Sequence, residues 1–227
     1  MTGYYGEEVK MIKAIFFDFD GTISDAKSLS YNSLIETFEE LGYRFDYKKA
    51  REFLGLKMPE ILKGLKIPKE DISKVRKHFW KKMRKGVNQG KIKICTSLKP
   101  LEKLKGEGIK LGIITNSSRK FLKVSLKKLG IRSLFSRLYA SEDFKTKDKM
   151  LEKLFRKYKI KPHELIYVGD RFSDVDYARE AGCYVIAIHN KCSWSTLAMI
   201  KKEKPDYVIE DFSKLSKLVR GLNNIKL

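Results

Sequence analysis

Residues 12–22 read Ile-Lys-Ala-Ile-Phe-Phe-Asp-Phe-Asp-Gly-Thr, and this stretch constrains the fold more than any other. Ile12, Ala14, Ile15, Phe16 and Phe17 form a nearly continuous apolar run. Such a run suits a strand buried on both faces of a parallel sheet. It stops on two carboxylates, Asp18 and Asp20, and Gly21 and Thr22 close the turn. Residues two apart on a strand point the same way, so the two acids can converge at its C-terminal end. Open α/β sheets place their ligand sites at that end. Two acids there are costly unless a cation or a reaction uses them. As plain punctuation, Asp and Gly would simply terminate a strand.

The rest of the chain repeats the pattern. Leu111–Ile114 predicts a buried strand ending in Thr115-Asn116-Ser117-Ser118, and Leu165–Val168 one ending in Gly169-Asp170. Further strands are expected at Arg137–Ala140, Tyr184–Ile188 and Tyr207–Ile209. Helices are expected between them at Leu98–Glu107, Phe121–Leu129, Asp148–Tyr158 and Val175–Ala181. This alternation predicts an α/β fold with a doubly wound, Rossmann-like parallel sheet. Residues 24–94 break the rhythm and read as helical throughout. Leu34, Phe38 and Leu41 recur at helical spacing, a short helix is expected over Tyr47–Leu54, and another runs from Pro68 to about Lys85. A crossover between parallel strands needs only about a dozen residues. The excess predicts an all-helical insertion with a core of its own. The expected division is a core of residues 1–23 and 95–227 and an inserted unit of residues 24–94.

Composition bounds the partners. The formal net charge is +21, which suits either nucleic-acid binding or a lysine-rich, thermophile-like surface around a site for anionic substrates. Lys120, Lys123, Lys127 and Lys128 punctuate an amphipathic helix, as on a solvated face. Between Lys74 and Lys93 basic residues run without an acid, while Ile72, Val75, Phe79 and Met83 line one side. Lys77, Lys81, Arg84 and Lys85 then face outward, either as a solvated face or as a field that draws anions. Cys95, Cys183 and Cys192 form no CxxC pair and read as reduced packing residues. No apolar run approaches a membrane span. Residues 1–11 lack the apolar core of a signal peptide, so a cytoplasmic protein is expected.

If the sheet is parallel, the ends of three strands share one edge. Asp18, Asp20, Thr115, Asn116, Asp170 and Asp174 then meet in one crevice. Such an oxygen-rich set suits Mg²⁺, and the absence of His or Cys from it argues against zinc.

Asp18-Phe-Asp-Gly-Thr22, Thr115-Asn-Ser117 and Gly169-Asp-Arg-Phe-Ser-Asp174, in that order, resemble the signature motifs of the haloacid dehalogenase-like hydrolases. The resemblance covers nearly the whole chain. Residues 24–94 resemble the helical cap of its phosphoglycolate phosphatase and β-phosphoglucomutase branch. It implies a Mg²⁺-dependent phosphatase acting on a small phosphomonoester through an aspartyl-phosphate. Asp18 matches the nucleophile and Asp20 the general acid and base. Thr115 and Asn116 match the phosphate-holding pair. Asp170 matches a metal ligand, joined by Asp18 and the Asp20 carbonyl, with Asp174 in support. The family's phosphate-neutralising lysine is expected at Lys145, with Lys147 the runner-up in Phe144-Lys-Thr-Lys-Asp-Lys-Met150. Two other activities compete. One is a mutase-type phosphotransferase, although Ser30 stands where mutases carry a histidine. The other is a basic nucleic-acid-binding protein on an inactive fold, which the acid pairs oppose.

Overall fold

The computed structural model describes residues 11–44, 46, 50 and 53–223. In chain order the strands are β1 (Ala14–Phe17), β2 (Ser24–Asp25), β3 (Lys93–Ile94), β4 (Lys110–Ile114), β5 (Arg137–Tyr139), β6 (Leu165–Gly169), β7 (Tyr184–Ile188) and β8 (Tyr207–Ile209). The helices named below are α1 (Lys27–Glu40), α2 (Met58–Gly64), α3 (Ile72–Asn88), α4 (Lys99–Gly106), α5 (Arg119–Lys128), α6 (Lys147–Tyr158), α7 (Phe172–Ala181), α8 (Leu197–Lys202) and α9 (Leu215–Asn223).

Six strands form one sheet in the order β5-β4-β1-β6-β7-β8. Every neighbouring pair in it is parallel. The apolar run that opened the argument is its central strand. Alternation places Ile15 and Phe17 in the cluster on one face and Ala14 and Phe16 in the cluster on the other. The first face is covered by α4, α5 and α9 through Leu104, Phe121 and Leu215. The second is covered by α6, α7 and α8 through Leu151, Ala178 and Ile200. Strand order reverses at β1, because the chain fills β4 and β5 on one side and then β6, β7 and β8 on the other. A crevice at the C-terminal edge, beside β1, follows from that topology.

The stretch between β2 and β3 is helical, as expected, but two details differ. Ser24–Asp25 and Lys93–Ile94 pair as a two-stranded antiparallel ribbon at its entry and exit. Two-residue strands are too short to show a period, so the sequence reading found none there. Among the described residues the helices also lack a separate core. Leu34, Phe38, Val75 and Phe79 belong to the cluster that covers one face of the sheet. The reason is lateral packing: α3 lies against both α1 and α5, and the Trp80 ring meets Phe121 at 5.5 Å. The stripe expected on α3 is real, with Val75, Phe79 and Met83 buried. Lys77, Lys81 and Lys85 are exposed as expected, whereas Lys82 pairs with Glu40 at 2.5 Å and Glu36 at 3.4 Å. The helix expected over Tyr47–Leu54 falls largely outside the described residues.

All three cysteines are free. Cys95 and Cys192, far apart in sequence, have their thiols in hydrogen-bond contact. Among the described residues no helix is long and apolar enough to cross a membrane.

Candidate active site

The site is built from the loops that leave β1, β4 and β6, roofed by the helices between β2 and β3. Asp18 continues β1 and still donates its N–H to the Val168 carbonyl at 2.8 Å. The chain then folds tightly back, with Ile23 and Ser24 N–H both donating to the Phe19 carbonyl. This turn brings Asp20 to the cleft beside Asp18, and Thr115, Asn116 and Ser117 line the same cleft.

The two acids have unlike surroundings. Asp18 Oδ1 lies 3.1 Å from the Lys147 ammonium. Burial pushes its pKa up to about 6; Lys147 opposes the rise and the Asp174 charge adds to it. Asp20 has hydroxyl partners instead. Ser117 Oγ donates to its Oδ2 at 2.5 Å and Ser24 Oγ to its Oδ1 at 3.2 Å. Burial pushes Asp20 up to about 7, against the pull of the Ser117 hydrogen bond. One carboxylate is thus held by a cation, and the other is poised where a proton can come and go near neutrality.

Lys147, the runner-up in the sequence reading, is the lysine that lies among the acids. Lys145, the expected lysine, is exposed in the loop before α6. Lys147 is only 2% exposed and bridges Asp18 and Asp174, the latter at 2.6 Å. Burial alone would lower its pKa, but the Asp174 and Asp18 charges outweigh that and raise it. The cause is helical spacing. Met150, Leu151 and Leu154 form the buried stripe of α6, and residue 147 lies three and four positions before the first two, on the same face. Lys145 precedes the helix altogether.

Asp170 and Asp174 follow β6, and both are fully buried. Asp170 accepts from Thr22 Oγ1 at 3.0 Å and from the Trp194 N–H at 2.6 Å. Its pKa lies well above the usual carboxylate range because burial and then the Asp18 and Asp174 charges disfavour ionisation. Asp174 Oδ2 accepts the Arg171 N–H at 3.1 Å, the N3-to-N-cap contact that starts α7. Oxygens of Asp18, Asp170 and Asp174 lie within 4.8 Å of one another. Three buried acids facing one ammonium leave an excess of negative charge, and their donors are all hard oxygens. That set fits a divalent cation such as Mg²⁺. The Asp20 carboxylate is outside this group, and its main-chain carbonyl accepts from Trp194 Nε1 at 2.9 Å.

One partner here carried no usable signal in the sequence. Trp194 binds both Asp20 and Asp170 from a loop far along the chain. Arg171 is buried and donates to the Leu54 carbonyl in the roof, and Asn116 Nδ2 donates to the Gly55 carbonyl at 3.3 Å. Two glycines are required. Gly21 has φ +93°, and a Cβ there would sit 2.5 Å from Asp170 Oδ2 and 2.6 Å from the Trp194 ring. Gly55 has φ +88°, and a Cβ would fall 2.1 Å from Arg171 Nη1. Gly21→Ala is therefore expected to lower both Tm and kcat, with at least a tenfold loss in kcat. The left-handed backbone alone costs about 1–2 kcal/mol, and Asp170 must also move. Steady-state kinetics beside a thermal melt would check this.

An open parallel sheet with paired acids, a buried ammonium and hydroxyl donors at its C-terminal edge defines a hydrolase of the phosphatase kind. The chain belongs to the haloacid dehalogenase-like hydrolases, whose family profile matches residues 15–188. It is 31% identical over 217 residues to a candidate pyrophosphatase, PpaX, of Caldanaerobacter subterraneus, covering 92% of this chain and 96% of that one. It is 26% identical over 221 residues to a phosphoglycolate phosphatase of Mannheimia succiniciproducens, covering 91% and 98%. Among solved structures, one described as a predicted phosphoglycolate phosphatase from Haemophilus somnus superposes with a TM-score of 0.80 at 21% identity, covering 91% of this chain and 97% of that one.

Proposed function

We propose that this enzyme is a Mg²⁺-dependent phosphatase that hydrolyses a small phosphomonoester through an aspartyl-phosphate on Asp18. The observation that carries the reading is the pairing of Asp18 with Lys147 while Asp20, in the same cleft, has only hydroxyl partners. Two chemical roles need two protonation habits, and these surroundings supply them.

In this reading the Asp18 carboxylate attacks phosphorus as the bond to the leaving oxygen breaks. Asp20 gives its proton to that oxygen. It then takes a proton from the water that attacks the phosphoryl-aspartate, which releases phosphate and restores Asp18. Ser117 N–H donates to Thr115 Oγ1 at 3.1 Å, so the Thr115 hydroxyl proton is free to hold a phosphoryl oxygen beside the Asn116 N–H. Lys147, rather than Lys145, neutralises the charge that builds between Asp18 and the phosphoryl group. Asp18, Asp170 and the Asp20 carbonyl would hold Mg²⁺, with Asp174 anchoring Lys147 and the start of α7. When bound, the cation supplies positive charge that lets one anion approach another.

Ser30 lines the cleft, and a serine cannot replace the imidazole of a mutase. Hydrolysis is therefore favoured over phosphoryl transfer to a sugar. We assign residues 24–94 as a cap over the core of residues 1–23 and 95–227, and we place the enzyme in the cytoplasm.

The test is hydrolysis of p-nitrophenyl phosphate. EDTA is expected to abolish turnover and added Mg²⁺ to restore it, with Asp170→Ala inactive at any Mg²⁺ concentration tried. Activity untouched by EDTA would remove the metal from the reading. Rapid quenching with a ³²P ester should give a hydroxylamine-labile label on the Asp18 peptide, and a label elsewhere would remove the intermediate.

A further inference from the structure

The cleft has two unlike walls. Its floor is the polar edge of the sheet. Its roof is Leu56, Met58, Ile61, Phe79, Trp80 and Met83, and Ser30 supplies its hydroxyl. Phe79, Met83, Met58 and Ile61 are each almost fully buried. Among the described residues no lysine or arginine lines the roof.

Lys57, Lys27 and Arg171 are held by main-chain carbonyls instead, Lys82 pairs with Glu40 and Glu36, and Arg84 sits with Lys77 and Lys120 in a neighbouring pocket that shares Trp80. Lys57, between Leu56 and Met58, donates to the carbonyls of Ser141 at 3.2 Å and Phe144. It also lies 4.2 Å over the Phe144 ring. Lys27, beside Ala26, donates to the Ser193 carbonyl at 2.5 Å. Arg171 donates to the Leu54 carbonyl. Lys147 stays with its two carboxylates at the floor.

We infer that the organic part of the substrate is uncharged and apolar, an alkyl or aryl group. The inference rests on the phosphatase reading above, which fixes the phosphoryl group at the floor and so points the leaving group at the roof. A second phosphate or a carboxylate there would be desolvated against Met58, Ile61 and Phe79, and no described residue of the roof carries a counter-charge. An alkyl or aryl group gains from the same burial. Ser30 offers one hydrogen bond, too few for a polyol. This preference departs from the pyrophosphate and phosphoglycolate for which the two curated relatives are named.

The experiment compares esters on the full-length wild-type enzyme with Mg²⁺. Along methyl, ethyl, propyl and butyl phosphate the leaving-group chemistry barely changes. Burial predicts a rise in kcat/KM of roughly two- to fourfold per CH₂. Isobutyl phosphate has the shape of phosphoglycolate without its carboxylate. It should exceed phosphoglycolate and pyrophosphate at least tenfold in kcat/KM. Ser30→Lys puts a cation in the roof and should move the ratio toward phosphoglycolate by at least tenfold. A flat alkyl series, or phosphoglycolate or pyrophosphate turned over as well as isobutyl phosphate, would overturn the inference and leave the phosphatase reading standing. No turnover of any ester, p-nitrophenyl phosphate included, would overturn both.

Discussion

Asp18→Asn is expected to lower kcat/KM by about four orders of magnitude or more, the scale on which losing a covalent nucleophile is felt. The change keeps the side chain's shape and removes only the attacking charge. The fold should survive it. Lys147 retains Asp174 at 2.6 Å, and the backbone of residue 18 stays tied to Val168. Removing one of the clustered carboxylates also relieves repulsion, since burial and Asp174 both push against ionised Asp18. Tm should stay level or rise by a few degrees. The check is kcat/KM on p-nitrophenyl phosphate beside a thermal melt. Near-normal turnover in the folded variant would take the nucleophile's role away from Asp18.

The second large effect separates two lysines that stand two residues apart. Lys147→Ala leaves Asp18 and Asp174 buried without their cation. Breaking a buried pair in this way costs about 3–5 kcal/mol, which for a chain of this size lowers Tm on the order of 10 °C. Activity should fall at least a hundredfold as well, because charge building on the phosphoryl group loses its nearest ammonium. Lys145 is exposed, and Lys145→Ala should stay within twofold in kcat/KM and within a degree or two in Tm. The opposite ranking would return the role to Lys145.

What could be read from the sequence followed from burial on two faces. Strands β1, β4 and β6 are so apolar that the first polar residue marks where each ends, and that is how Asp18, Thr115 and Asp170 were placed at one edge. Asp20 and Asn116 came with them as near neighbours. Lys147 was also within reach. Counting back by helical steps from the buried Met150 and Leu151 selects it, whereas the family resemblance alone points to Lys145. The β2–β3 ribbon was beyond reading, since two residues carry no periodicity. Trp194 was hidden for a different reason. Its importance lies in contacts made across the fold, such as Nε1 to the carbonyl of Asp20, and no local pattern encodes those. The continuous apolar cluster beneath the roof was missed because periodicity says which face is buried and not against what.

The chain has two tryptophans, Trp80 and Trp194, and both line the cleft. One belongs to α3 in the roof and packs on Phe79 at 4.9 Å. The other donates to Asp170 and to Asp20 at the floor. Tryptophan emission, excited where the eleven tyrosines do not absorb, is therefore a signal from the cleft alone, with no background from indoles elsewhere. Phe substitution at either position leaves a single-colour reporter for one wall, so ligand entry at the roof and events at the acids can be timed separately by stopped flow.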